Sequence, residues 1–176
     1  ATSPSTARTR AITESARPCA EPLPGCGSPA VWAHRGFHAI AAENSVASVR
    51  AAVEKGFCGA EIDVQWFPDR GLVIAHDEVE ENDLLPNALT LAQLLDSLPQ
   101  PPRYLWLDFK NLDRHNAAAA AAHIDSLIAK HGFDYRFVVE SVHSIPLRIL
   151  WWYAPRVIPA YWINRPPYGW KGPLHD

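Results

Sequence analysis

Three short apolar runs in this chain end in ionisable residues. Val31-Trp32-Ala33 leads into His34 and Arg35, Gly59-Ala60 with Ile62 and Val64 is interleaved with Glu61 and Asp63, and Leu72-Val73-Ile74-Ala75 stops at His76 and Asp77. Each run reads as a buried strand, at about 30–35, 59–64 and 71–76. Between the first two, Val46, Val49 and Val53 fall on one helical face, with Asn44 or Ser45 as cap and Gly56 as stop. Pro68-Asp69-Arg70-Gly71 predicts a turn before the third run, and residues 77–89 form a polar loop. Thr90 then caps a helix over Leu91 to Leu98, stopped by Pro99.

The alternation continues to the end. Tyr104 to Lys110 is a fourth strand whose Asp108 and Lys110 share one face by the two-residue period. Ala117 to Lys130 is a helix by propensity, with Ile124, Leu127 and Ile128 as its packing stripe and Gly132 as its stop. Arg136 to Ser141 predicts strand five, Ile145 to Tyr153 a helix, and Val157 to Ile163 strand six. Strands alternating with helices predict an α/β fold with a parallel sheet, open or closed into a barrel. In such folds chemistry gathers at the strand ends, where this chain places its charges.

Composition narrows the function classes. With 176 residues, 48% hydrophobic and 20% charged, the chain can bury one sizeable core. A formal net charge of -3 gives no general attraction to nucleic acid or anionic lipid, so any phosphate recognition must be local. Residues 1–28, rich in Ala, Ser, Thr and Pro, read as a flexible leader before a domain at 29–176. A chain that begins with Ala and contains no Met suits removal of an export signal, hence a secreted or periplasmic location; a start at an internal boundary leaves a cytoplasmic one. Cys19 and Cys26 have the spacing for a small disulfide loop in an oxidising compartment, and Cys58 reads as a small buried apolar residue.

Taken in order, His34-Arg35-Gly36, Glu43-Asn44, Glu61-Ile62-Asp63-Val64 and His76-Asp77 resemble the signature of the glycerophosphodiester phosphodiesterases, a family of the PLC-like phosphodiesterase superfamily. The resemblance extends over about residues 30 to 163. It implies a TIM-barrel-like fold, one divalent cation, and cleavage of a phosphodiester bond by two histidines. The barrel is expected to be truncated to about six strands, with its C-terminal units missing, because a full barrel has eight βα units.

The residue types suit that chemistry. A phosphodiesterase needs a base for the attacking oxygen and an acid for the leaving oxygen, and His34 and His76, from different strand ends, are the candidate pair. The other histidines (His38, His115, His123, His131 and His143) read as solvent-facing or locally bonded. Glu61 and Asp63 lie on one side of a strand, where their repulsion calls for a cation. By resemblance Asp108 is the third ligand, shorter by about one methylene than the Glu usual in the family's Glu-x-Lys. Mg²⁺ or Ca²⁺ suits these ligands best. Arg35 and Lys110 are expected to hold phosphate oxygens, the competing reading being ordinary ion pairs with Glu61 or Asp108. Glu43 and Asn44 read as supporting residues that can equally serve helix capping, and Asp77 as a group that orients His76 or the strand end.

The expected substrate is a small-molecule glycerophosphodiester or related lipid headgroup; a phospholipase acting on intact lipid and a non-catalytic phosphate-ester-binding remnant are the alternatives. The short 77–89 loop leaves the headgroup open. Trp151, Trp152, Tyr153, Tyr161, Trp162, Tyr168 and Trp170 are numerous enough for a lipid-facing belt, but core packing is preferred and membrane contact is not favoured. Oligomeric state is not readable.

Overall fold

The structure, a computed structural model, describes residues 23–26, 30–133 and 136–162. Its elements follow the expected order: β1 (Trp32–Ala33), α1 (Val46–Glu54), β2 (Gly59–Phe67), β3 (Gly71–Ile74), α2 (Leu91–Ser97), β4 (Tyr104–Phe109), α3 (Ala117–His131), β5 (Phe137–Ser141), α4 (Ser144–Tyr153) and β6 (Ile158–Tyr161). A 3₁₀ turn at Glu81–Asp83 interrupts the polar loop. The parallel order β1-β2-β4-β5-β6 is that of a barrel wall, and among the described residues it forms part of a TIM-barrel-like fold.

One strand departs from the expected parallel pattern. β3 follows β2 through a tight turn, with no helix between, and pairs with it antiparallel, Val64 opposite Ile74 and Phe67 opposite Gly71. A turn that short cannot carry the chain back for parallel pairing. β2 therefore runs three residues past the expected Val64 and supplies both partners.

Local signals explain the helices. Ser45, not Asn44, caps α1: its hydroxyl accepts from the Ser48 N–H at 3.1 Å while the Ser48 hydroxyl accepts from the Ser45 N–H at 3.2 Å. Thr90 and Gln93 make the same reciprocal cap on α2. Gly132 ends α3 in the left-handed conformation. On the sheet's outer face Ala60, Ile62, Val64, Leu105, Leu107, Phe109, Phe137 and Val139 pack with Val49, Leu94, Ile124, Leu127, Ile128, Leu147 and Leu150 of the helices, all buried. The helices thus dry one face, and the other is left for chemistry.

The cysteine expectation is corrected. Cys26 is bonded to Cys58, with Cα atoms 5.3 Å apart, so Cys58 is not a lone apolar thiol and Cys26 is not available to Cys19, which lies outside the described residues. The bond ties residues 23–26 to the turn before β2, where the Tyr104 hydroxyl donates to the Pro24 carbonyl at 3.2 Å. Of the residues expected in the leader, only 23–26 are described; in the aromatic tail Trp151, Trp152, Tyr153, Tyr161 and Trp162 are exposed instead of packed in the core, and Tyr168 and Trp170 lie outside the described residues.

Candidate active site

The inner face of β2 carries Glu61, Asp63 and Gln65 at the two-residue period. Register places Asp63 beside Asp108 of β4 and Asp108 beside Glu140 of β5, one row of acids across three strands. Oxygens of Glu61, Asp63 and Asp108 lie within 4.8 Å of one another, the arrangement expected of the three candidate ligands. An all-carboxylate donor set of this kind fits a hard divalent cation. Burial pushes the Glu61 carboxyl up to about 7; the Arg35 N–H opposes this, while the charges of Asp63 and Asp108 add to it. Desolvation is thus the larger cause of the rise, and repulsion by the neighbouring carboxylates the smaller.

Arg35 and Glu43 reach this cluster from the loop after β1. The Arg35 N–H donates to Glu61 Oε2 at 2.8 Å, and its guanidinium lies 3.1 Å from both Glu43 Oε1 and Asp63 Oδ2. Arg35 has φ 52° and Gly36 φ 75°, and a Cβ on Gly36 would fall 2.3 Å from the Ser48 hydroxyl, so the motif needs glycine there. Lys110 bridges Asp63 Oδ1 at 2.7 Å and Asp108 Oδ2 at 2.5 Å. Burial opposes the Lys110 charge, but its hydrogen bonds to Asp108 and Asp63 outweigh that and hold the ammonium above the usual lysine range. Lys110 thus makes the ion pair with Asp108 that the competing reading named, and both cations also pair with Asp63, which it did not name.

Asn44 has a role that its capping propensity concealed. With φ 52°, it donates from Nδ2 to Asp63 Oδ2 at 2.8 Å and accepts the Asp63 N–H at 3.1 Å. Peptide groups of alternate β2 residues face the same edge. On that edge Glu61 meets the loop after β1, and Gln65 and Phe67 meet β3, so Asn44 fills the gap between.

The two histidines follow β1 and β3, the strands on this side of β2. His34, largely exposed, has Nε2 3.8 Å from Glu61 Oε2. His76 follows the end of β3, with Nδ1 2.7 Å from Asp77 Oδ1, as expected of an orienting carboxylate. The remaining histidines stand apart from the carboxylates in the contacts described: His38 is bonded locally to the His34 carbonyl, and His131 lies 3.3 Å from Asp96. His123 is half-buried instead of solvent-facing, its ring against Trp66 at 5.6 Å and its Nε2 without a hydrogen-bond partner among the described residues.

Two further inner-face residues escaped sequence reasoning. Gln65 is buried and bonds the loop that carries His76; the two-residue period from Glu61 and Asp63 was the signal for its face. Glu140, an acid inside an apolar strand, is buried and accepts from Trp106 Nε1 at 2.5 Å. Burial raises its pKa against that hydrogen bond, and the Asp108 charge adds to the rise.

Residues 34–133 match the model of the glycerophosphoryl diester phosphodiesterase family. The chain belongs to this family. Among solved structures, a glycerophosphodiester phosphodiesterase from Parabacteroides distasonis is 24% identical, with TM-score 0.61 over 74% of this chain and 63% of that one. A phosphodiesterase from Oleispira antarctica, in complex with the product sn-glycerol-3-phosphate, is 22% identical, with TM-score 0.59 over 76% of this chain and 65% of that one. These likenesses establish the shared fold, and the chain spans less than two thirds of the length of either structure. No curated protein sequence matches it.

Proposed function

We propose that this family member hydrolyses the phosphodiester bond of glycerophosphodiesters or related lipid headgroups. The observation that carries the reading is the meeting of Glu61, Asp63 and Asp108, whose oxygens lie within 4.8 Å of one another, with His34 Nε2 3.8 Å from Glu61 Oε2. These three carboxylates would hold one Mg²⁺ or Ca²⁺ ion, which when bound supplies charge stabilisation to a phosphate oxygen. Asp108 ligates directly or through a water, its side chain being short.

One histidine takes the proton from the attacking oxygen, of water or of a neighbouring substrate hydroxyl, as that oxygen bonds to phosphorus. The other gives its proton to the leaving alcohol oxygen as the phosphorus–oxygen bond breaks. Arg35 and Lys110, already at the carboxylates, turn their remaining N–H donors to the non-bridging oxygens. The product sn-glycerol-3-phosphate in the Oleispira antarctica structure supports a glycerol-bearing substrate. The bond between Cys26 and Cys58 supports a secreted or periplasmic location, where disulfides persist.

The test is alcohol release from glycerophosphocholine by folded protein with Mg²⁺, Ca²⁺ or Mn²⁺. Turnover is expected, and His34→Ala and His76→Ala should each lower it by about two to four orders of magnitude. Phosphate-ester binding in calorimetry without turnover would instead establish the non-catalytic reading. Faster cleavage of intact lipid in vesicles than of the soluble diester would establish a phospholipase.

A further inference from the structure

Around His76, one side chain of β2 holds the chain to the sheet. Beyond Ile74, where β3 ends, the hydrogen bonds described between residues 75–79 and β2 all run through Gln65. Its Nε2 donates to the carbonyls of Ala75, at 3.2 Å, and Asp77, at 2.5 Å, the residues on either side of His76. Its Oε1 accepts the Val79 N–H at 3.3 Å. Gln65 is 1% exposed and therefore has one environment, whereas the His76 side chain is 43% exposed and, among the described residues, its ring is held only by Asp77, itself on the loop.

The same strand face carries Glu61 and Asp63. Two residues along a strand are about 6.6 Å, so β2 works as a ruler with carboxylates at two marks and the histidine's anchor at the third. A neutral amide suits the third mark. It can donate to two carbonyls and accept an N–H at once, which a carboxylate cannot, and it adds no charge beside Asp63.

We propose that Gln65 is a positioning residue, setting the place of His76 relative to Glu61 and Asp63. This rests on the reading of His76 as a proton-transfer group. Misplacing such a group by about 1 Å costs on the order of 10²-fold in rate. Gln65→Met should therefore lower kcat by about 10- to 100-fold while leaving KM and cation affinity near their parental values. Gln65→Glu, which keeps size and the acceptor for Val79 but loses both donors, should lower kcat likewise if the apolar replacement fails to fold.

The deciding measurement is a double-mutant cycle with His76→Ala. A residue acting through His76 loses its effect once the imidazole is gone, so Gln65→Met should change the residual rate of His76→Ala by less than about twofold. A parental kcat in Gln65→Met and Gln65→Glu, with His76→Ala still strongly impaired, overturns the proposal alone. An equal fractional loss in both backgrounds also overturns it, because Gln65 would then act on the fold at large. A near-parental rate in His76→Ala overturns it together with the two-histidine reading.

Discussion

At the scale of single residues, Asp63 is the centre of the site. It is 1% exposed and meets Arg35, Lys110 and the Asn44 side chain, with the last also holding its N–H. Groups that orient a metal ligand in this way typically account for 10- to 100-fold in affinity. Asn44→Ala should therefore weaken Ca²⁺ or Mg²⁺ binding by about tenfold in calorimetry, with the capping box of Ser45 and Ser48 keeping α1 intact. Glu61 predicts a pH dependence. Its folded carboxyl titrates near 7, against an ordinary 4.5, so its contribution to folding is favourable in acid and is lost as pH rises through 7. A cation reverses the preference by stabilising the ionised form. The rise in Tm produced by a fixed cation concentration should be small at pH 5.5 and grow as pH passes 7, and Glu61→Gln should abolish that growth. Asp108→Glu, restoring the family's usual side chain, should change cation affinity or the Mg²⁺/Ca²⁺ preference in equilibrium dialysis; an unchanged profile would remove Asp108 from the ligand set.

At the scale of elements, β2 organises the domain because both its edges and both its faces are used. β4 and the side chain of Asn111 complete one edge, the latter bonding both peptide groups of Trp66, while the loop after β1, Asn44 and β3 share the other. The hairpin tip rests on α3 through Trp66 and His123. Burial lowers the His123 pKa, so the folded state resists its protonation. Stability from this group is present above the ordinary value near 6.5 and is lost as pH falls below it. His123→Phe keeps the ring and removes the charge. Its Tm should fall less than the parent's between pH 7.5 and pH 5.

At the scale of the whole molecule, the cross-link from Cys26 to Cys58 spans 32 residues and fastens the segment beneath the sheet to the turn before β2. Closing a loop of that length in the unfolded chain is worth about 3–4 kcal/mol in the chain-entropy account. A Cys26→Ser, Cys58→Ser variant should lose about that much in urea unfolding at neutral pH, and the parent should match it only in the presence of reductant. The disulfide lies at the N-terminal end of β2, before the carboxylates. Cation affinity should therefore survive the substitution.

What the sequence by itself determined is the order and type of the elements and the three acids, Glu61, Asp63 and Asp108, that the fold brings together. Apolar runs, caps and glycine stops are local signals, and His34, Arg35, Glu61, Asp63, His76 and Asp108 stood out because a charged residue at the end of a buried strand needs a reason. Tertiary structure decided whatever depends on which chain segments become neighbours. It joined Cys26 to Cys58 in place of the nearer Cys19, whereas the antiparallel pairing of β3 was already implied by its short turn. It also moved Asn44 from helix cap to the partner of Asp63, and set Glu140 beside Asp108 by strand register. The spacing of residues along the chain carries no record of such pairings, whose geometry exists only once β2 has been flanked on both edges.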